Sequence, residues 1–167
     1  GIQVGTAFAF CEESGLKPEL KAEILRKSLS GEVRVFTDPR ASPTGFPFKV
    51  LEAQGTLFEE PIYAERQRIC DVGYLRTPYR RPDGRVGYRC PSEPEADYLR
   101  KGGAPEATIG CKCVCNGLLA AIGLGQMRDG KEEPVLLTAG EDASRVAEFL
   151  VAGRETYTAA GGVECLM

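Results

Sequence analysis

The chain has 167 residues, 43% of them hydrophobic and 27% charged, the proportions of an ordinary globular chain of one domain or slightly more. Lys and Arg number 21 against 24 Asp and Glu, and the resulting net charge of -3 excludes the electrostatic footprint that nucleic acid or an anionic membrane surface requires. There is no histidine, so no imidazole base, nucleophile partner or metal ligand comes from within the chain, and the longest apolar run, 118–124, is too short to cross a bilayer.

Residues 1–10, GIQVGTAFAF, are nearly all apolar and predict a buried strand of a parallel sheet. After a turn, Pro18 opens a helix as a first-turn proline does. Leu20, Ile24 and Leu25 lie on one face, Glu23 stands four residues before Lys27, and Gly31 ends the helix. Strand, turn and helix make one βα unit, and the predicted fold class is α/β. A short strand follows at 33–36. From Thr37 to Val50, Pro39, Pro43, Pro47 and Gly45 predict an extended, ordered loop. A weak boundary near residue 55 separates 1–54 from a mainly helical, loop-rich extension over 55–152.

That extension begins with a helix over 61–70, and Pro82-Asp83-Gly84 then turns a small hairpin between Tyr79 and Tyr88. Ser92 and Glu95 have capping-box spacing ahead of a short helix stopped at Gly102-Gly103. A longer helix is expected from Glu106 to Ile122, and a last one from Glu141-Asp142 to Ala152 with Val146, Phe149 and Leu150 turned inward. Residues 153–167 are expected to be loose.

The seven cysteines, at 11, 70, 90, 111, 113, 115 and 165, are too few for a secreted disulfide scaffold. No charged n-region or cleavage site is visible, so a reducing cytoplasm and free thiols are expected. On the predicted helix Cys111 and Cys115 share a face and Cys113 does not. With C-x-C spacing and no histidine this argues against zinc or an iron–sulfur cluster and for buried cysteines acting as small apolar residues.

The segment most suggestive of chemistry is the first. A strand ending in Gln3-Val4-Gly5-Thr6 offers backbone N–H groups, with a close approach to a ligand at Gly5 and a Thr6 hydroxyl able to donate to a phosphate oxygen. Gln3 projects to the same side. On the Pro-rich loop, Arg40 or Lys49 offers a cation to an anionic substrate or to phosphate.

Gly1, Gln3, Gly5, Thr6 and Phe8, continued by Glu13, Ser14 and a helix carrying Lys21, resemble the last barrel strand and following helix of the nitronate monooxygenase group of flavoenzymes, formerly called 2-nitropropane dioxygenases. The stretch VFTDPRASPTGFPFKV and the cysteine-containing region from Cys70 to Leu124 are similar to a longer branch of that group. The resemblance implies the C-terminal part of a (β/α)8 TIM barrel, its last strand and helix, followed by the helical extension. It implies FMN as cofactor, with Gly5 and Thr6 at the phosphate and Gln3 near the flavin. The rest of the phosphate cradle and the catalytic base would lie upstream of residue 1. The activity implied is oxidation of a small alkyl nitronate by O2 to a carbonyl compound and nitrite, with the fragment inactive by itself.

Flavin-dependent enoyl-acyl-carrier-protein reductases carry a similar stretch, so an NAD(P)H-dependent reductase is an alternative. A non-catalytic cap or interaction module over 55–150 is another. A small-molecule substrate is expected, with no nucleic acid and no membrane as partner and a homo-oligomer left open.

Overall fold

The computed structural model describes residues 4–166. Helix α1 spans Thr6–Ala9 and α2 Pro18–Ser30. Strands β1 (Val35–Asp38) and β2 (Phe48–Leu51) pair antiparallel, Val35 opposite Leu51 and Asp38 opposite Phe48. Helix α3 covers Glu60–Glu65, and a second antiparallel hairpin joins β3 (Thr77–Arg80) to β4 (Val86–Arg89). Helix α4 (Glu95–Arg100), a 3₁₀ turn over Pro105–Thr108 and α5 (Val114–Ala121) follow. The two-residue strands β5 (Met127–Arg128) and β6 (Lys131–Glu132), a 3₁₀ segment over Glu141–Phe149 and α6 (Ala159–Leu166) complete the order. The fold is mixed α/β with small antiparallel sheets, and no closed barrel forms among the described residues. No helix there is long and apolar enough to cross a membrane.

The predicted buried strand over 1–10 is not found among the described residues 4–10. Thr6–Ala9 is helical and packs against the 3₁₀ segment and α6, while Gly1, Ile2 and Gln3 lie outside the described residues. Apolar content alone cannot separate a short buried helix from a strand. The α2 reading holds in detail. Pro18 is in the first turn, Leu20, Ile24 and Leu25 are buried, Lys27 meets Glu23 at 2.9 Å, and Gly31 caps with φ 72°, a left-handed value that favours glycine.

The expected helix from Glu106 to Ile122 is broken. Gly110 takes φ 73° against the Arg40 side chain, 109–113 run without helix, and α5 starts only at Val114. Ser92 does not cap α4, whose N-cap is Pro94; its hydroxyl lies 3.1 Å from the Cys90 thiol instead. The extended, ordered loop expected over 37–50 is the connection of a hairpin, with Pro39, Pro43 and Pro47 between β1 and β2.

Val135 to Thr138 thread through the centre of the molecule. Leu57 N–H donates to Val135 O at 2.7 Å, Leu51 N–H to Leu137 O at 2.9 Å, Leu136 N–H to Gly117 O at 3.0 Å, and the Thr138 hydroxyl to Lys49 O at 2.7 Å. On one side Phe10, Ile24, Leu25, Leu51, Leu137 and Val146 pack together; on the other, Ala41, Val50, Leu57, Val114 and Leu136 do. Both clusters draw residues from each side of position 55. The tail expected to be loose is anchored. Tyr157 is 3% exposed, its hydroxyl donates to Ala7 O, and the Ala159 N–H donates to the Glu13 carboxylate at 2.8 Å. Burying one aromatic ring and its hydroxyl together offsets the cost of ordering the chain end.

Candidate functional site

Gly5 is the N-cap of α1, and its carbonyl accepts the Phe8 and Ala9 N–H groups, each at 3.1 Å. A side chain built at Gly5 would meet nothing within 4 Å among the described residues, and φ there is an ordinary -110°. Packing therefore does not demand glycine at this position, which leaves its Cα open to approach from outside.

Thr6 is buried, and its hydroxyl donates to Asp142 Oδ1 at 2.7 Å while accepting the Gly140 N–H at 3.2 Å. A Cβ on Gly140 would stand 2.2 Å from Asp142 Oδ1 and 3.1 Å from Thr6 Oγ1, so the absence of a side chain there is what lets the three groups meet. The expected donation from Thr6 to a phosphate would have to compete with Asp142 for the one hydroxyl proton.

These residues line one side of an open trough of about 470 Å³, walled by Gly5, Thr6, Ala9, Phe46, Pro47, Lys49, Thr138, Ala139 and Gly140. Lys49 contributes the cation, 2.7 Å from Glu141 Oε1 and 40% exposed along its side chain. Phe46 is 73% exposed, an apolar rim beside the charged group. Gly5, Thr6 and Lys49, read from two separate stretches of sequence, are thus brought to one place. Arg40 is not among them: it lies exposed against Gly110, its N–H held by Asp38 Oδ1 at 2.8 Å. Gln3 falls outside the described residues.

Comparison with protein-family models, curated proteins and solved structures finds no match to the chain. The remaining residues of the opening stretch serve the fold. Lys21 Nζ donates to the carbonyls of Cys11, Glu12 and Ser14 at 3.1, 2.9 and 3.2 Å, fastening the turn before α2. Glu13 is held below the usual carboxylate range by the Ala159 N–H, which favours its charged form.

Sequence reasoning missed Thr138, Gly140 and Asp142. For Thr138 and Gly140 the signal was present in PVLLTAG, an apolar run ending in small residues as GIQVGT does. It also missed a buried charge network on the far side, where Glu133 accepts from Arg66 at 2.5 Å and Arg128 at 2.6 Å, and Arg128 reaches Asp71. The cysteine geometry differs from expectation as well. Cys113 is the N-cap of α5 and Cys111 precedes it, so helix faces do not separate them, and both are buried. Burial is the main influence raising both thiols, that of Cys111 to about 12. Among the described residues no group of three or more Cys, Asp or Glu is arranged to hold a metal ion.

Proposed function

We propose that this chain is the C-terminal portion of an FMN-dependent oxidoreductase resembling nitronate monooxygenases, and that the trough at Gly5 receives the cofactor's phosphate. The observation that carries this reading is the convergence of Gly5, Thr6 and Lys49 on one open trough, an open backbone, a hydroxyl and a cation together. The parent enzyme would oxidise a small alkyl nitronate with O2 to a carbonyl compound and nitrite. On this reading Gln3 would lie near the flavin.

The residues present fit half of a phosphate cradle. The open Cα of Gly5 admits an oxygen close to the backbone, and Lys49 can exchange its exposed Glu141 partner for a phosphate at little cost. Phe46 and Pro47 give one wall an apolar rim. Asp142 acts in the opposite sense, since its carboxylate repels an anion while it holds the Thr6 hydroxyl. FMN, when bound, supplies the electron-accepting chemistry that no side chain here provides. The protein's part is to hold the phosphate and, through the Thr6–Asp142–Gly140 bonds, to fix the start of α1.

Backbone amide NMR of the whole chain titrated with FMN tests the reading, with riboflavin, which lacks the phosphate, as the control. Expected are weak binding in the millimolar range, about -4 kcal/mol, shifts confined to the residues around Gly5, Thr6 and Gly140, their loss in Lys49→Ala, and no such shifts with riboflavin. Equal shifts with riboflavin, or none at the trough, would refute the phosphate assignment. Tight stoichiometric binding of FMN would refute the reading of the chain as a portion of the site.

A further inference from the structure

The hairpin of β3 and β4 brings two cysteines together. Thr77 pairs with Arg89, so the chain entering β3 and the chain leaving β4 emerge at the same end, Cys70 on one and Cys90 on the other. Cys90 directly follows Arg89 and Arg76 directly precedes Thr77, so Cys90 and Arg76, whose guanidinium is held on Cys70, flank the same end of the hairpin. Cys90 is 3% exposed and lies 3.1 Å from the Ser92 hydroxyl, whereas Cys70 is only half-buried. Arg76 Nε donates to Cys70 Sγ at 3.4 Å, and its guanidinium also reaches Cys70 O. Gly73 makes room for this: a Cβ there would stand 2.9 Å from Arg76 Nε. Glu93 faces the same pair, buried, with Oε2 bound to Lys101 at 2.7 Å and Oε1 without a partner among the described residues.

We propose that Cys70 and Cys90 are a redox pair in which Cys70 is oxidised by a peroxide and Cys90 converts the product to a disulfide. The Cys70 sulfur, as thiolate, attacks one oxygen of hydrogen peroxide; an S–O bond forms, the O–O bond breaks, and hydroxide leaves beside the Arg76 cation. Cys90 then attacks the sulfenic sulfur, the S–S bond forms, and the departing hydroxyl takes the Cys90 proton as water. In sum, one thiolate, one thiol and one hydrogen peroxide give one disulfide, one hydroxide and one water. Two electrons pass from the sulfurs to the peroxide oxygens.

The groups facing Cys70 suit it to the first step. The neighbouring Cys90 is the largest influence. Together with the hydrogen bond and charge of Arg76 it outweighs burial and the opposing charge of Glu93, and it places Cys70 at about 6. Cys113, itself buried, is raised by burial. Cys90 is raised by the neighbouring Cys70 and by burial, as a thiol that reacts only with an already oxidised neighbour should be. At pH 6 about half of Cys70 is thiolate against roughly 0.3% of an ordinary thiol at ~8.5. A Brønsted slope of about 0.45 returns a factor of roughly 13, so Cys70 should be alkylated about tenfold faster than an ordinary free thiol.

The test uses the whole reduced chain, freed of reductant, treated with one equivalent of hydrogen peroxide, alkylated and digested with trypsin without reduction. The expected product joins peptides 69–76 and 90–100 and is two hydrogens lighter than their sum. In Cys90→Ser the cross-link should vanish and a dimedone adduct should appear on Cys70. If that variant does not fold, the wild-type peptide map and the pH 6 alkylation rate decide alone. Oxidation falling on other cysteines with no 69–76/90–100 cross-link would overturn the proposal. So would one zinc per chain that protects both thiols from peroxide, which would make the cluster a metal site instead.

Discussion

Replacing Gly117 by Ala tests the packing of α5 on the central segment with a result whose sign is informative. On helix propensity alone the change should stabilise by about 0.8–1 kcal/mol, since Gly117 lies inside α5. The structure sets a larger effect against it. A Cβ at 117 would lie 2.5 Å from Leu136 Cβ and 3.1 Å from Leu136 N, and Leu136 N–H already donates to Gly117 O at 3.0 Å. The obstacle is the root of a fully buried side chain and its backbone, which cannot swing aside. The cost therefore belongs in the upper part of the overpacking range, about 2–3 kcal/mol. The net expectation is a loss of about 1–2 kcal/mol, or a melting temperature lower by roughly 3–6 °C for a chain of this size. Gly5→Ala is the control: its Cβ meets nothing within 4 Å among the described residues, and its stability should stay within about 0.5 kcal/mol. Thermal melts followed by circular dichroism make the comparison. A Gly117→Ala protein melting at or above wild type would refute the close approach of α5 to Leu136.

Two adjacent glutamates should behave very differently in urea denaturation. Glu133→Ala leaves Arg66, whose side chain is 5% exposed, without its partner and should cost about 3–5 kcal/mol, whereas Glu132→Ala breaks a solvent-exposed pair with Lys17 and should cost under about 1 kcal/mol; equal losses would argue against the buried network. Asp71 gives a pH signature. Burial is the largest single influence on it and raises it, but the hydrogen bonds from Arg128 and Asn116 together win and hold it at about 2. Its contribution is therefore present above the unfolded value of about 3.9 and lost as pH falls through about 2. With the side chain 40% exposed, screening limits it to about 1 kcal/mol or less. Asp71→Asn should lower stability at pH 6 by that amount and converge on wild type near pH 2, and a constant gap across the range would count against the assignment.

How much of this was legible depended on whether a local signal fixed the outcome. Helix α2 announced itself through Pro18, the Leu20–Ile24–Leu25 face and Gly31, all of which act within one or two turns. The β3–β4 hairpin followed from Pro82-Asp83-Gly84 in the same way. Thr6–Ala9 misled because a four-residue helix is too short to show a period, and the Glu106–Ile122 reading ran across Gly110, whose left-handed conformation breaks the helix against the side chain of a distant Arg40. At the candidate site, Gly5, Thr6 and Lys49 could be named from residue type and resemblance. Asp142 could not, because the Thr6 hydroxyl finds its acceptor 136 positions away. The approach of Cys70 to the Cys90 end of the hairpin was hidden for the same reason, since it needs the strand register and the Arg76 side chain together.

The central segment sets an order of events during synthesis. Thr138 reaches back 89 positions to the Lys49 carbonyl, and Leu51 and Leu57 likewise donate to carbonyls of this late segment. At about 5–20 residues per second a ribosome needs roughly 4–18 s to add that span. Throughout that interval the N–H groups of Leu51 and Leu57 have only water as a partner, and the apolar side chains around them are uncovered. The nascent chain is thus most exposed to aggregation after its first hairpin is made and before its last third emerges, when a holding chaperone would have the most to bind.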